Sequence, residues 1–364
     1  MRMAFYGSSL LSSYWNGAAT YYRGLLAALA RRGWQITFYE PDAFDRQSHR
    51  DIDAPAWAAV RVYPATPDAV QAVLAEAAKA DVVIKASGVG VFDDALLDGM
   101  MRHAARQALR VFWDVDAPAT LAEIRPRPEH PIRQALDGLD AVLTYGGGVP
   151  VVNAYTALGA ALCRPIYNAL DPSTHFPVAP DPDYATDLCF LANRMPDREA
   201  RADEFFFRAA ALCPERRFLL GGNGWDGKPM SANVRWIGHV GTERHNAFNT
   251  SALAVLNVAR ESMAAMGFSP ATRVFEAAGA GACLITDAWE GIEQFLTPDE
   301  EILVARDGAE VAALLRDLQP DRARAIGENA RQRILAEHTY ERRADEVDAL
   351  FRALLARKRQ MAAA

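Results

Sequence analysis

Absences narrow this chain before anything present in it does. Only four of its 364 residues are cysteines: Cys163, Cys189, Cys213 and Cys283. No two stand as C-x-x-C, and each lies in an apolar or mixed stretch. Neither a disulfide framework nor a cysteine zinc site is therefore expected; buried free thiols in a reducing compartment are. The seven histidines form no H-E-x-x-H pair. Basic excess is missing too: 39 Lys and Arg face 46 Asp and Glu, a formal charge of -7. That argues against a general nucleic-acid partner but still allows a small basic pocket for an anionic ligand. No stretch approaches the roughly 18 consecutive apolar residues of a spanning helix. The opening Met1-Arg-Met-Ala-Phe-Tyr-Gly7 is too short in its apolar part for a secretory leader. The expectation is a cytoplasmic protein without a transmembrane segment.

What is present is an alternation. Short apolar runs at 3–6, 35–39, 81–85, 109–113 and 141–144 each end at a glycine or an acidic residue, and helical patterns separate most of them. Strand, helix, strand in this order predicts a parallel sheet. Four prolines, Pro172, Pro177, Pro180 and Pro182, then break the periodicity; residues 171–184 read as a linker. A second alternating series follows, with strands expected at 187–191, 217–220, 234–237, 253–258, 282–285 and 301–304. A long amphipathic helix closes the chain from about Tyr340. The length fits roughly two domains: 1–170, 185–339, and a terminal helix over 340–364 placed to cross back to the first. Two Rossmann-like α/β domains would bind ligands outside the carboxyl ends of their strands, and if they faced each other they would form one deep cleft.

The most informative stretch is Gly267-Phe-Ser-Pro-Ala-Thr-Arg-Val-Phe-Glu-Ala-Ala-Gly279. Ser269 suits an N-cap, Pro270 suits a first helical residue, and Thr272 falls in the same turn. The tip of such a helix offers backbone N–H groups and partial positive charge to an anion. Arg273 in the first turn opposes the helix dipole by a few tenths of a kcal/mol, roughly, unless an anion neutralises both. Glu276 lies on the same face, where a carboxylate accepts hydrogen bonds from a sugar diol. One helix would then hold a diphosphate at its tip and a ribose one turn down. The plainer reading is a capped helix with a surface Arg–Glu pair. Asn193, Arg194 and Arg260 follow expected strands and would flank the same ligand, although a solvated arginine is an equal reading. The loop over 7–17 carries Ser13, Trp15, Asn16 and Gly17, hydroxyls and an aromatic face suited to a sugar or polar acceptor. It has neither G-x-G-x-x-G nor the P-loop pattern. Asp114-Val-Asp116 either holds a cation or, the favoured reading, gives Asp116 to a helix cap and leaves Asp114 to orient or deprotonate an acceptor. His175 reads as linker packing.

Three segments carry a family resemblance: Ser12-Ser-Tyr-Trp-Asn-Gly-Ala-Ala-Thr-Tyr-Tyr-Arg-Gly-Leu-Leu26, Phe112-Trp-Asp-Val-Asp-Ala-Pro-Ala-Thr-Leu121, and Gly267 to Gly281 continuing through Ile285-Thr-Asp287 and Trp289-Glu-Gly291. In them the chain resembles the CgeB-type (spore maturation protein) glycosyltransferases of the GT-B superfamily. The resemblance implies a GT-B fold, an acceptor-binding N-terminal domain and a C-terminal domain for a nucleotide diphosphate sugar. It gives Glu276 to the donor's ribose and the Ser269–Arg273 turn to its diphosphate. Two departures stand out. Phe268 occupies the place of the first glutamate of the E-x7-E pattern, so a retaining outcome loses its support. Ala18 stands where relatives read Asn-Gly-His, so any base must come from elsewhere. The expected chemistry is glycosyl transfer without a metal or other cofactor, with the departing diphosphate stabilised by a helix tip, Arg273 and Arg194. A nucleotide-sugar epimerase and a catalytically silent nucleotide-sugar-binding protein are the alternatives. The acceptor and the oligomeric state are not named by the sequence.

Overall fold

Runs such as Met3-Ala-Phe-Tyr6 and Leu188-Cys-Phe-Leu191 have no polar face to offer, so they form strands covered on both sides. The computed structural model describes residues 1–14 and 16–363. The chain divides into two units: Met1–Tyr167 with Tyr340–Ala364, and Asn168–Thr339.

The first unit contains β1 (Arg2–Tyr6), β2 (Gln35–Asp42), β3 (Ala58–Pro64), β4 (Val82–Ala86), β5 (Leu109–Asp114), β6 (Ala141–Thr144) and β7 (Cys163–Pro165). Their order is β3-β2-β1-β4-β5-β6-β7, parallel throughout. The second contains β8 (Thr186–Leu191), β9 (Phe218–Gly221), β10 (Val234–Trp236), β11 (Ala252–Asn257), β12 (Leu284–Asp287) and β13 (Leu303–Ala305). Their order is β10-β9-β8-β11-β12-β13, again parallel. In each sheet the winding direction reverses beside the first strand, between β1 and β4 and between β8 and β11. That is where open α/β sheets bind ligands.

Two strands escaped the sequence pattern. β3 is an edge strand with most of its residues exposed or half-buried, so no apolar run marks it. β7 is only three residues long. β12 begins two residues later than expected and ends at Asp287.

The cores differ in kind. In the first unit Phe5 stacks on Phe38 at 5.1 Å and meets Tyr22 edge-on at 5.2 Å. The Trp113 indole N–H donates to the Tyr21 hydroxyl, which donates to the Ile166 carbonyl. The second core is built on Leu188, Phe190, Phe206, Phe218, Leu220 and Leu256. All four cysteines are buried and free; burial pushes the Cys163, Cys189 and Cys283 thiols up to about 12.

The helix Tyr340–Ala363 packs within the first unit, against the helix Ala18–Arg31. Gly24 permits this approach: a Cβ there would fall 2.1 Å from the Tyr340 ring. Arg32 binds Glu341 and Asp345, and the Trp34 indole donates to Asp348. Residues 171–184, read from the sequence as a linker, lie within the second unit and are fastened there. The Phe176 and Asp181 amides donate to Asn246 Oδ1 and Ser251 Oγ, and the Asn246 amide donates to the Thr174 carbonyl. Proline removed the regular ladder, and side chains from another helix replaced it. No helix among the described residues is long and apolar enough to cross a membrane.

Candidate active site

At the reversal point of the second sheet, β8 and β11 pair directly, so the loops after them lie side by side. Asn193 braces the first of these loops: its Oδ1 accepts from the Asn223 amide, and the Arg194 amide donates to the Asn223 carbonyl. The Arg194 side chain pairs with Glu199 at 2.6 Å. Arg260, at the start of the next helix, pairs with Asp197. Both arginines are thus tied to the helix Pro196–Ala202. Asp287, fully buried at the end of β12, accepts from the Ala259 amide and the Arg201 guanidinium. This fixes the loop after β11, although burial still pushes the Asp287 carboxyl up.

The helix expected from Pro270 begins two residues later, as Thr272–Gly279. Ala271 holds the N-cap position and no side chain caps it. Ser269 is not the cap, because its hydroxyl donates to the Gly267 carbonyl. A tight turn precedes the helix, with Gly267 at φ +71° and Phe268 at φ +48°. The Phe268 amide donates to the Glu290 carbonyl, and a Cβ on Gly291 would fall 2.1 Å from the Phe268 ring. The aromatic side chain in the first-glutamate position is therefore a packing element locked to the 290–291 turn. Asn168, buried, donates to the Pro270 carbonyl from Nδ2. As the return leg of a parallel crossover, the helix points its N-terminus toward the carboxyl ends of the strands.

Arg273 and Glu276 lie one turn apart on this helix, Nη1 to Oε2 3.9 Å. That Arg273 nitrogen is buried without a hydrogen-bond partner. On the other side of the carboxylate, His175 Nε2 lies 3.8 Å from Oε1. His245 completes the group; one ligand atom from each of His175, His245 and Glu276 lies within 4.8 Å of the others. Burial pushes the Glu276 carboxyl up, but the charges of His175, Arg273 and His245 outweigh it and hold it below its ordinary value. Burial, then Arg273, pushes the His245 imidazole down to about 4, so it is neutral at pH 7. Sequence reading gave His175 to packing and did not single out His245 or Asn168. Positions 175 and 245 are joined only by the fold, and no local spacing signals them.

The first unit treats its expected residues differently. Asp114 is fully buried at the end of β5 and accepts from Ser87 Oγ (2.7 Å), Thr120 Oγ1 (2.9 Å), the Asp116 amide (3.1 Å) and the Tyr155 hydroxyl (2.5 Å). Burial pushes its carboxyl up despite these four bonds. This corrects the reading of Asp114 as an acceptor-facing base, because both oxygens are spent on fastening strand ends. Asp116 occupies the N-cap position of the helix Ala117–Ile124 but makes no side-chain cap bond. Asn16 is buried and used up within its loop: Oδ1 accepts from Ser8, and Nδ2 donates to the Ser9 and Ser12 carbonyls. Ser13 binds Asp51 through both its amide and its hydroxyl, and Arg23 clamps the same carboxylate. Gly17 stands before the helix Ala18–Arg31 with open space where a Cβ would lie. Trp15 lies outside the described residues.

Residues 198–349 match the family model described as Glycosyl transferase-like. Solved structures sharing the fold include a sucrose-phosphate synthase from Thermosynechococcus elongatus, 15% identical with a TM-score of 0.70 over 98% of this chain and 99% of that one. HepE from Anabaena, in complex with UDP-glucose, is 13% identical with a TM-score of 0.66 over 97% and 100%. The T4 phage BGT, in complex with its UDP-glucose substrate, is 12% identical with a TM-score of 0.60 over 97% and 99%. No curated protein matches the chain by sequence. Two parallel-sheet α/β domains of this order are the GT-B fold. The match to the family model covers less than half of the chain, and the solved structures share its fold.

Proposed function

We propose that the protein is a glycosyltransferase that moves a sugar from a nucleotide diphosphate sugar to an acceptor. The carrying observation is the buried Nη1 of Arg273, without a hydrogen bond, in the first turn of a helix without a side-chain cap. A desolvated N–H on a guanidinium costs free energy unless an anion meets it, and the helix tip attracts the same charge. A diphosphate answers both. Glu276, ionised and one turn along, accepts hydrogen bonds from the ribose hydroxyls. Ser269, Pro270 and Thr272 shape the turn that the phosphates approach, and Asn193, Arg194 and Arg260 flank it. UDP-glucose in two of the fold neighbours supports this class of donor.

As the glycosidic bond to phosphate breaks, negative charge grows on the leaving diphosphate. Arg273 and the backbone N–H groups stabilise that charge where it develops, so the transfer step calls for no metal. The acceptor falls to the loops of the first unit, with Ser13, Gly17 and Asp116 at their rim. The CgeB-type assignment belongs to the same proposal and rests on the three segments quoted above. A second reading, donor binding without transfer, draws on one observation: Asp114 is enclosed by its four donors.

Titration calorimetry with UDP, GDP, ADP and their glucose esters tests the donor site. At a hundredfold excess over Kd a true ligand adds about 2.7 kcal/mol to the stability of the fold, so thermal shift reports it too. Binding of one diphosphate by the wild type and its loss in Arg273→Ala is the expected result. Equal binding by both chains would sink the site. Donor consumption across an acceptor panel then separates transfer from binding alone.

A further inference from the structure

The group around Glu276 has a property that diphosphate binding does not use: two imidazoles and a carboxylate bring one ligand atom each to within 4.8 Å of the others. The Thr174 hydroxyl lies 2.9 Å from His175 Nδ1 and holds that edge of the ring. On the other side of the ring, His175 Nε2 lies 3.8 Å from Glu276 Oε1. In His245 it is Nδ1 that is buried without a partner, while the backbone of Val240 engages the ring. A nitrogen of each imidazole and a carboxylate oxygen lie within 4.8 Å of one another. Nitrogen and oxygen ligand atoms gathered this way suit a divalent cation. Each imidazole also has the outer partner that metal-bound histidines characteristically have.

We propose that His175, His245 and Glu276 form a binding site for a zinc-class divalent cation, and that this cation competes with the donor for Glu276. The second clause rests on the donor reading above. Two imidazoles and a carboxylate match zinc chemistry and leave a fourth position for water. Bonds of about 2.0–2.2 Å in a tetrahedron place ligand atoms about 3.4 Å apart. The His175–Glu276 edge is 3.8 Å and every pair is within 4.8 Å, so small rotamer changes close the site. Arg273 limits it. Its guanidinium, near the other carboxylate oxygen, repels a cation as firmly as it attracts a diphosphate. The two ligands therefore respond to Arg273 with opposite signs. A chain holding zinc has Glu276 withdrawn from the ribose, so the cation inhibits donor binding without taking part in transfer.

The test is calorimetric titration of zinc into the metal-stripped, full-length chain, without nucleotide. One zinc per chain is expected. Affinity should fall at least about tenfold in His175→Ala and in His245→Ala and rise severalfold in Arg273→Ala. His175→Gln and His245→Asn, checked by circular dichroism, replace any alanine variant that fails to fold. Cobalt substituted for zinc should show the intense visible bands of a four-coordinate site. In the wild type zinc should raise the apparent Kd for UDP, and in His245→Ala it should not. No stoichiometric zinc in the wild type, or undiminished zinc affinity in both histidine variants, overturns the proposal. A chain that binds zinc but no nucleotide retains the cation site and loses the donor reading; a chain that binds UDP but no zinc does the reverse.

Discussion

The two sheets share one strand order over six strands yet treat the polar groups at their reversal points in opposite ways. In the first unit the polar groups described after β1 are satisfied: Asn16 meets Ser8, Ser9 and Ser12, and Glu40 accepts from the Leu10 and Leu11 amides. In the second unit Arg273 Nη1 and His245 Nδ1, both without hydrogen bonds, belong to side chains gathered about one buried carboxylate. The first unit is not free of such atoms, but Arg46 Nη2, Tyr63 OH and Arg110 Nε belong to separate elements. The lesson concerns where to look for ligands. A fold tolerates stray unmatched groups, while a cluster of them around a charge is a cost that only a bound molecule offsets.

Removing the guanidinium strikes this contrast hardest. Arg273→Ala should weaken nucleotide diphosphate binding by about 2–3 kcal/mol, some thirtyfold or more, since hydrogen bonds to charged groups contribute on that scale. Calorimetry reads it, and an unchanged Kd would erase the distinction between the units. Asp114→Ala should act on the other side of the comparison. It leaves the Tyr155 hydroxyl and three further donors without an acceptor in a buried place. Stability should fall by about 2–3 kcal/mol in urea titration while donor affinity holds. A variant of full stability that has lost turnover would restore Asp114 as the base.

Asp51→Asn gives a smaller, pH-dependent effect. Burial pushes the Asp51 carboxyl up, but Arg23 and Ser13 outweigh it and hold it below its ordinary 3.8. Its folded pKa is thus depressed, so its contribution is present above 3.8 and is lost as pH falls through the folded value. The variant should cost about 1 kcal/mol at pH 7 and nothing once the native carboxylate is protonated. Parallel unfolding curves at the two pH values decide this. Ser13→Ala is the mildest, within about 1 kcal/mol for one exposed hydrogen bond, and serves to show whether the pinned loop matters to an acceptor.

Much of this was legible in the amino-acid order because parallel strands buried on both faces write themselves as apolar runs. β1, β5, β6, β8 and β11 announced themselves so. β3 did not, since an edge strand with exposed side chains has no such run. The Arg273–Glu276 pair was readable because helical spacing joins them. The real helix start was not, because Ser269 turned its hydroxyl back to Gly267 rather than forward to a helix N–H. Asp114 misled for a related reason. A carboxylate at the end of a strand looks the same in sequence whether it faces a ligand or four donors from Ser87, Asp116, Thr120 and Tyr155. His175 and His245 meet through residues 171–184, which proline content marked as a linker and hydrogen bonds to Asn246 and Ser251 bind down.

The return of the helix Tyr340–Ala363 to the first unit has a consequence for biosynthesis. A ribosome releases Asn168–Thr339 as one unbroken stretch, whereas the earlier-made Met1–Tyr167 must await Tyr340–Ala363 before the face around Gly24 is covered. The half of the protein translated second is thus the first that can finish folding, and the half translated first is the one most in need of protection while the polypeptide is still being extended.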